Sequence, residues 1–371
     1  MNNSVFLHIV ERLEGFLGKL PESIQKPILS ELTPLKELFL QQRAPRFVLT
    51  GSHPMPLLEF AARIFSDENT EPSRDTLTGL FRWQHVALSH HGSVELLDAR
   101  GADEAALALI REELKRQPAD LFFFVAAERA AKVATRRELE RLEKLLAWNN
   151  EYGAHAKLME LRAGETDAVE TTALQEAARS DSPAIRASLI GSYPLDANVR
   201  RTLAGELPNE ARVEMVRMSG DRAAKQEIAE MLVKSTSAIC AAIGAQPIPL
   251  ADLPILTTLQ LVMVSGVMYV SGRERSMRAA TEFVGALGAN VGLGMVLREG
   301  TRAALKFFPG WGNVVCGMVA GAGTYAIGRA ATVYFIEGAS LKDARRTFLK
   351  SRKQRVPIPG AKTKAKALRN V

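Results

Sequence analysis

The sequence predicts two folded parts: an α/β domain built on a mixed sheet, then an all-α, Gly/Ala-rich helical domain ending in a basic tail. Three observations carry this. Short apolar runs alternate with longer segments of helical period between residues 46 and 192. Beyond Lys234 the uncharged windows become long, at 235–251, 253–272, 283–297 and 307–328. Basic charge collects at the C-terminus: from Lys342 to Val371 eleven Lys/Arg face Asp343 alone, a net +10 that leaves −3 for the rest of a chain carrying +7.

The elements follow in order. Residues 1–44 read as a helical lead-in, because Phe6, Ile9, Leu13, Phe16, Leu17 and Leu20 recur at helical spacing before Pro21. RFVLTG (46–51) is a strand ending in Gly, and PLLEFAARIF (56–65) a helix. WQHVALS (83–89) and SVELLD (93–98) flank a turn at His90-His91-Gly92 and predict a hairpin. A helix at 102–117, an apolar strand at 120–127 and a helix at 134–150 come next. Strands at 156–162 and 186–192, with a helix over 167–179, complete the domain. That succession is the order of a Ras-like α/β domain of P-loop type, placed at 45–195. Residues 196–234, interrupted by Pro208, read as a helical connector; 235–340 form the helical domain and 341–371 the tail.

The chemistry such a domain needs is largely missing. A phosphate loop, GxxxxGK[ST], wraps phosphates with glycine-rich backbone N–H groups, a Lys and a Mg²⁺-holding hydroxyl. Here Gly51 is followed by Ser52, His53, Pro54 and Met55, and then Pro56, Leu57 and Leu58 stand where Gly, Lys and Ser/Thr belong. Two prolines delete two donors. His53 could supply a partial charge, although a loop imidazole is usually only solvated. Asp98-Ala99-Arg100-Gly101 fits the D-x-x-G that follows the third strand of GTPases, and without the phosphate loop Asp98 reads as a turn or helix-capping residue. Thr76 or Thr78 could fill the switch threonine position. Leu161-Arg162-Ala163-Gly164-Glu165 lacks the N-K-x-D that selects guanine. No G-x-S-x-G, H-E-x-x-H or Cys/His metal set occurs. The expectation is a binding protein without a catalytic residue, cofactor or metal. An active NTPase taking GTP and Mg²⁺ in an atypical loop remains the first alternative.

The helical block carries the most specific pattern. Pro247, Pro249, Asp252, Leu256, Gln260 and Met263, then Lys306, Pro309, Gly310 and Gly312, follow a P-x-P-x-A-D run, a Leu-x-x-x-Gln-x-x-Met helix and a Lys-x-x-Pro-Gly-x-Gly run. This resembles the bacterial helical family catalogued as domain of unknown function 697, over about residues 225–340. The resemblance implies an inner-membrane helical domain, in a family often fused to Era-like GTPase domains that a P-R-[IV]-x-[VL]-x-G run introduces. Pro45-Arg46-Phe47-Val48-Leu49-Thr50-Gly51 fits that lead-in, whereas Pro56, Leu57 and Leu58 depart from the pattern and argue against hydrolysis.

A spanning helix needs about 20 apolar residues. The windows 253–272 and 307–328 approach that length, but the first holds Thr257, Thr258, Gln260 and Ser265, and the second Pro309 and Asn313. Gly288-x-x-x-Gly292 and Gly317-x-x-x-Gly321 place small residues at close-packing spacing, which suits helix contacts within a membrane, self-association or a soluble bundle. The basic tail beside the apolar block predicts attraction to an anionic membrane surface, worth about 1 kcal/mol per basic residue near the lipid. Nucleic acid ranks below it, because Phe348 is the tail's single aromatic and no stacking platform accompanies it; a soluble scaffold is the remaining alternative. Cys240 and Cys316, far apart in apolar surroundings, exclude a disulfide framework. The charged N-terminus does not resemble a secretory signal, so the expected location is the cytoplasmic face of the inner membrane, peripheral or integral.

Overall fold

The computed structural model describes residues 41–65, 73–74, 79–88, 92–126, 132–153, 155–163, 173–180, 182–245, 252–288 and 311–355, with 25–26, 29 and 37–38. The chain forms two compact units, Gln42–Asp221 and Met1–Gln41 together with Arg222–Val371. Of the lead-in, residues 25–26, 29 and 37–38 are helical and 41–44 are non-helical chain leading into the first strand; Phe6 to Leu20 lie outside the described residues.

The first unit runs β1 (Arg46–Gly51), α1 (Leu57–Phe65), β2 (Ser73–Arg74), β3 (Gln84–Leu88), β4 (Gly92–Asp98), α2 (Glu104–Arg116), β5 (Leu121–Ala126), α3 (Lys132–Tyr152), β6 (Lys157–Arg162), α4 (Ala173–Ser180), α5 (Pro183–Ser188), β7 (Leu189–Pro194), α6 (Arg200–Glu206) and α7 (Asn209–Met218). Among the described residues these strands form one mixed sheet in the order β2-β3-β4-β1-β5-β6-β7. β4, β1, β5, β6 and β7 run parallel, and β3 pairs antiparallel with both β4 and β2 at one edge. β5 is apolar along its length and β1 is buried from Phe47 to Gly51 because helices cover both faces of a parallel sheet.

One face packs Phe47 and Phe123 against Phe60 and Phe65 of α1, with ring centroids 5.1 to 6.4 Å apart. The other packs Val48, Leu97, Phe122 and Phe124 against Ile110 and Leu114 of α2 and Leu142, Leu145 and Leu146 of α3. At the N-terminal end of the central strands, Asp120 accepts two guanidinium bonds from Arg43 (2.6 Å each) and the Arg46 amide (2.9 Å). Those bonds set where β1 begins. The opposite end of β1 is where a ligand loop would lie.

Three readings shift. The strand expected at 186–192 starts later, because Ser182 caps and Pro183 opens the short helix α5, which holds the chain helical to Ser188. β2 at Ser73–Arg74 had no legible signal. The connector 196–234 divides: α6 and α7 fall in the α/β unit, whereas α8 (Arg222–Gly244) belongs to the helical unit.

The second unit continues with α9 (Asp252–Val270), α10 (Met277–Gly288), α11 (Trp311–Ala331), a π-helical extension over Thr332–Ile336, and α12 (Leu341–Arg355). α11 lies tightly along α8. A side chain at Gly317 would meet the Ala241 carbonyl oxygen at 2.7 Å, at Gly321 the Ala241 Cβ at 2.8 Å, and at Gly328 the Val233 side chain. Small-residue spacing therefore serves a helix–helix contact inside this unit. Gly288, the last residue of α10, has open space instead, and Gly292 lies outside the described residues. Cys240 is buried in the same seam, where desolvation pushes its thiol up to about 12. Among the described residues no helix is long and apolar enough to cross a membrane. Gln260 of α9 donates to Thr324 Oγ1 of α11 (2.9 Å), so polar groups inside both windows bond to each other.

Candidate functional site

The sequence locates its candidate site at the C-terminal ends of β1 and β4, and the fold brings Gly51, His53, Asp98 and Gly101 to that end. β1 and β4 are parallel neighbours, with Leu49 opposite Asp98. Gly51 turns the chain at φ +99°, and a Cβ there would run into the Val125 carbonyl of β5. The loop thus leaves the sheet flat against β5. Thr50 reinforces the contact by donating its hydroxyl to the Phe123 carbonyl (2.8 Å).

The loop's backbone donors turn inward. Ser52 and His53 both give their N–H to the Val125 carbonyl, at 3.2 and 3.3 Å. Met55 N–H donates to His53 Nδ1 (3.3 Å), and Pro54 and Pro56 have no N–H to give. Each backbone N–H from 52 to 56 is used inside the protein or chemically missing. Met55 and Leu57 are buried, so apolar side chains fill the start of α1.

Arg100 completes the arrangement. Its Nε and Nη2 hold both Asp98 carboxylate oxygens (2.8 and 2.6 Å), its amide donates to Asp98 Oδ1 (3.1 Å), and its Nη1 reaches across to the His53 carbonyl (2.8 Å). The side chain is 12% exposed against 28% for Asp98, so the pair is shielded and its bonds exceed a surface ion pair in worth. A cation drawn from this chain neutralises the Asp98 carboxylate and ties the two loops together. His53 sits among Arg100 and Arg63; burial first, then those charges, lower its pKa from the ordinary 6.5. A neutral ring is what lets Nδ1 accept from Met55.

Gly101 adopts φ +67°, a turn conformation that suits glycine. Helix capping at this corner falls to Asp103, whose side chain accepts from the Ala106 amide (2.8 Å), so Asp98 acts in the turn and not as a cap. His90, His91, Thr76, Thr78, Gly164 and Glu165 lie outside the described residues, as do Pro247, Pro249, Lys306, Pro309 and Gly310. Asp252 begins α9 and Gly312 lies in the first turn of α11. Leu256 and Met263 are core residues of α9. Among the described residues no cluster of His, Cys, Asp and Glu could hold a metal.

The sequence reading missed Arg100, one of the two unassigned positions in D-x-x-G. Its signal was a basic residue two positions from a carboxylate. A polar pair on adjacent strands was equally hidden: Glu160 of β6 stands opposite Ser192 of β7, with Glu160 fully enclosed.

Comparison with known proteins adds one likeness. No protein-family model matches the chain. It is similar to Magnetosome membrane protein 22 of Magnetospirillum gryphiswaldense, 27% identical over 157 residues, which cover 39% of this chain and 79% of that protein. The relative is a membrane protein.

Proposed function

We propose that this protein is a membrane-associated binding or assembly protein, whose α/β unit is a GTPase-like domain of P-loop type that no longer carries out nucleotide chemistry. The sheet order β3-β4-β1-β5-β6-β7, in which β3 alone runs antiparallel, supports the Ras-like reading. The observation that carries the loss of nucleotide chemistry is the inward-turned loop from Gly51 to Pro56, fastened by Arg100. Opening that loop to phosphate would break two bonds to Val125 and the Arg100 bridge and still leave Leu57 and Leu58 where the Lys and the Mg²⁺-holding hydroxyl belong.

The helical unit is the membrane-facing part in this reading. Its resemblance to domain of unknown function 697 rests on the motif residues quoted above. The likeness to a magnetosome membrane protein and the +10 charge from Lys342 onward support an anionic membrane surface as its partner, on the cytoplasmic face of the inner membrane. Self-association of this unit would use a face other than Gly317 and Gly321, which α8 occupies.

Titration of the full chain with a fluorescent GTP or ATP analogue in Mg²⁺ tests the first half. The expected result is no saturable binding. Micromolar affinity would overturn the reading and favour an active NTPase with an atypical loop.

A further inference from the structure

We infer that the helical unit meets anionic lipid through a specific corner, the turn between α9 and α10 together with the π-helical segment, in addition to its basic tail. The inference rests on the membrane reading above and says where on the unit contact occurs.

Arginines and aromatic rings converge there. α9 ends in a turn in which Gly272, at φ +103°, closes the helix with its amide on the Tyr269 carbonyl (3.0 Å) and Arg273 N–H on Met268 O (3.2 Å). The turn directs Arg273 back over the π-helical segment. Its guanidinium lies 5.1 Å from the Phe335 ring centroid and 6.0 Å from that of Tyr334. Arg275 lies 4.4 Å over the Tyr269 ring. Behind them Phe283 of α10 stacks on Tyr334 (5.3 Å) and touches Phe335 (5.0 Å).

The π-helical turn explains why two successive aromatics serve one surface. Glu337 N–H reaches back to Thr332 O (3.2 Å), and the extra residue in the turn shifts the phase of the helix. Tyr334 and Phe335 pack against each other at 4.9 Å, and both are partly buried, with an edge open to solvent. An arginine over an aromatic face keeps its charge while its plane shelters apolar surface. Paired with partly buried rings, that is the chemistry of a lipid headgroup boundary, where amphipathic rings sit at the interface and guanidinium groups meet phosphate.

Charge selects the occupant. Arg273, Arg275 and Arg278 outnumber Glu274 within six residues, and Arg278 bonds Glu282 on its own helix (2.9 Å). α12 packs against this corner: Arg345 donates twice to the Ala286 carbonyl of α10, at 2.9 and 2.5 Å. Lys342, Arg346 and Lys350 of the same helix are exposed, and so is Leu349. The exposed Arg273 beside these rings matches a phosphate-bearing lipid surface better than an apolar protein groove.

The test uses the full chain carrying Tyr334→Trp, read as a difference spectrum against the parent, which shares Trp83, Trp148 and Trp311. Vesicles of phosphatidylglycerol and phosphatidylcholine should shift the emission of the introduced indole to the blue, and pure phosphatidylcholine should not. Arg273→Gln, whose head is exposed, should weaken partition to the anionic vesicles about fivefold, the effect of one interfacial charge, with unchanged melting temperature. Binding to anionic vesicles without a blue shift, and unaffected by Arg273→Gln, overturns the corner and leaves the membrane reading standing. Failure of the parent to bind any vesicle overturns both. If Tyr334→Trp does not fold, the Arg273→Gln partition alone decides.

Discussion

The loop after β1 and the corner beside the π-helical segment treat their polar groups in opposite ways. In the loop, Ser52, His53 and Met55 give their N–H groups inward, and Arg100 closes over Asp98 and His53. At the corner, Arg273 and Arg275 lie over rings and add charge to an already basic end of the chain. The first arrangement completes its own bonding and needs no ligand to stay closed. The second sets an exposed cation, Arg273, over an aromatic ring at the unit's surface. Under the proposed function, recognition belongs to the helical unit, although the α/β unit has the architecture usually associated with ligand chemistry.

Breaking the closed loop should have the largest effect. Gly51→Ala forces a side chain into the Val125 carbonyl at a backbone angle that disfavours any Cβ. The expected cost is about 2–5 kcal/mol, read by urea unfolding, and a neutral outcome would mean that the loop does not lie against β5. Arg100→Ala should come next. It strips Asp98 of its cation and the loop of its tie, at about 1–3 kcal/mol, and Arg100→Lys should recover little of this because one ammonium cannot span the three acceptors. Gain of nucleotide binding in Arg100→Ala would sharpen the comparison by showing that closure alone suppressed the site.

The smallest effect is a pH dependence. The folded-state pKa of His53 is lowered, so in acid the unfolded chain binds the proton more readily. The contribution is complete above the ordinary value of 6.5 and is lost as pH falls below it. Unfolding midpoints at about pH 7.5 and about pH 5.5, either side of that value, should differ less in His53→Gln than in the parent.

How much of this was legible follows from what each feature depends on. Pro56, Leu57 and Leu58 could be judged from the sequence, because a prolyl nitrogen or a Leu side chain lacks the phosphate-binding group wherever it sits. The apolar run of β5 was equally plain, since a strand covered on both faces tolerates few polar residues. Arg100 was not, because its partner His53 is 47 residues away and meets it only when β1 and β4 pair. The boundary at Asp221 was hidden for another reason. α8 opens with charged residues such as Glu227 and Glu230 on its exposed side, while Ile228, Ala229, Leu232 and Val233 are buried in the helical unit. Charge content suggested a connector, and the buried stripe overrode it. The π-helical turn, set by one extra residue in a continuous helix, left no periodic trace that could be separated from the helix itself.

Flotation tests the central claim most directly, with the full chain and a Lys342→Glu/Arg346→Glu/Lys350→Glu variant on vesicles of anionic or purely zwitterionic lipid. The account predicts that the parent floats with anionic vesicles alone, that added salt weakens this, and that the variant stays at the bottom with its fold intact. A parent protein that stays at the bottom with anionic vesicles at low salt would contradict it.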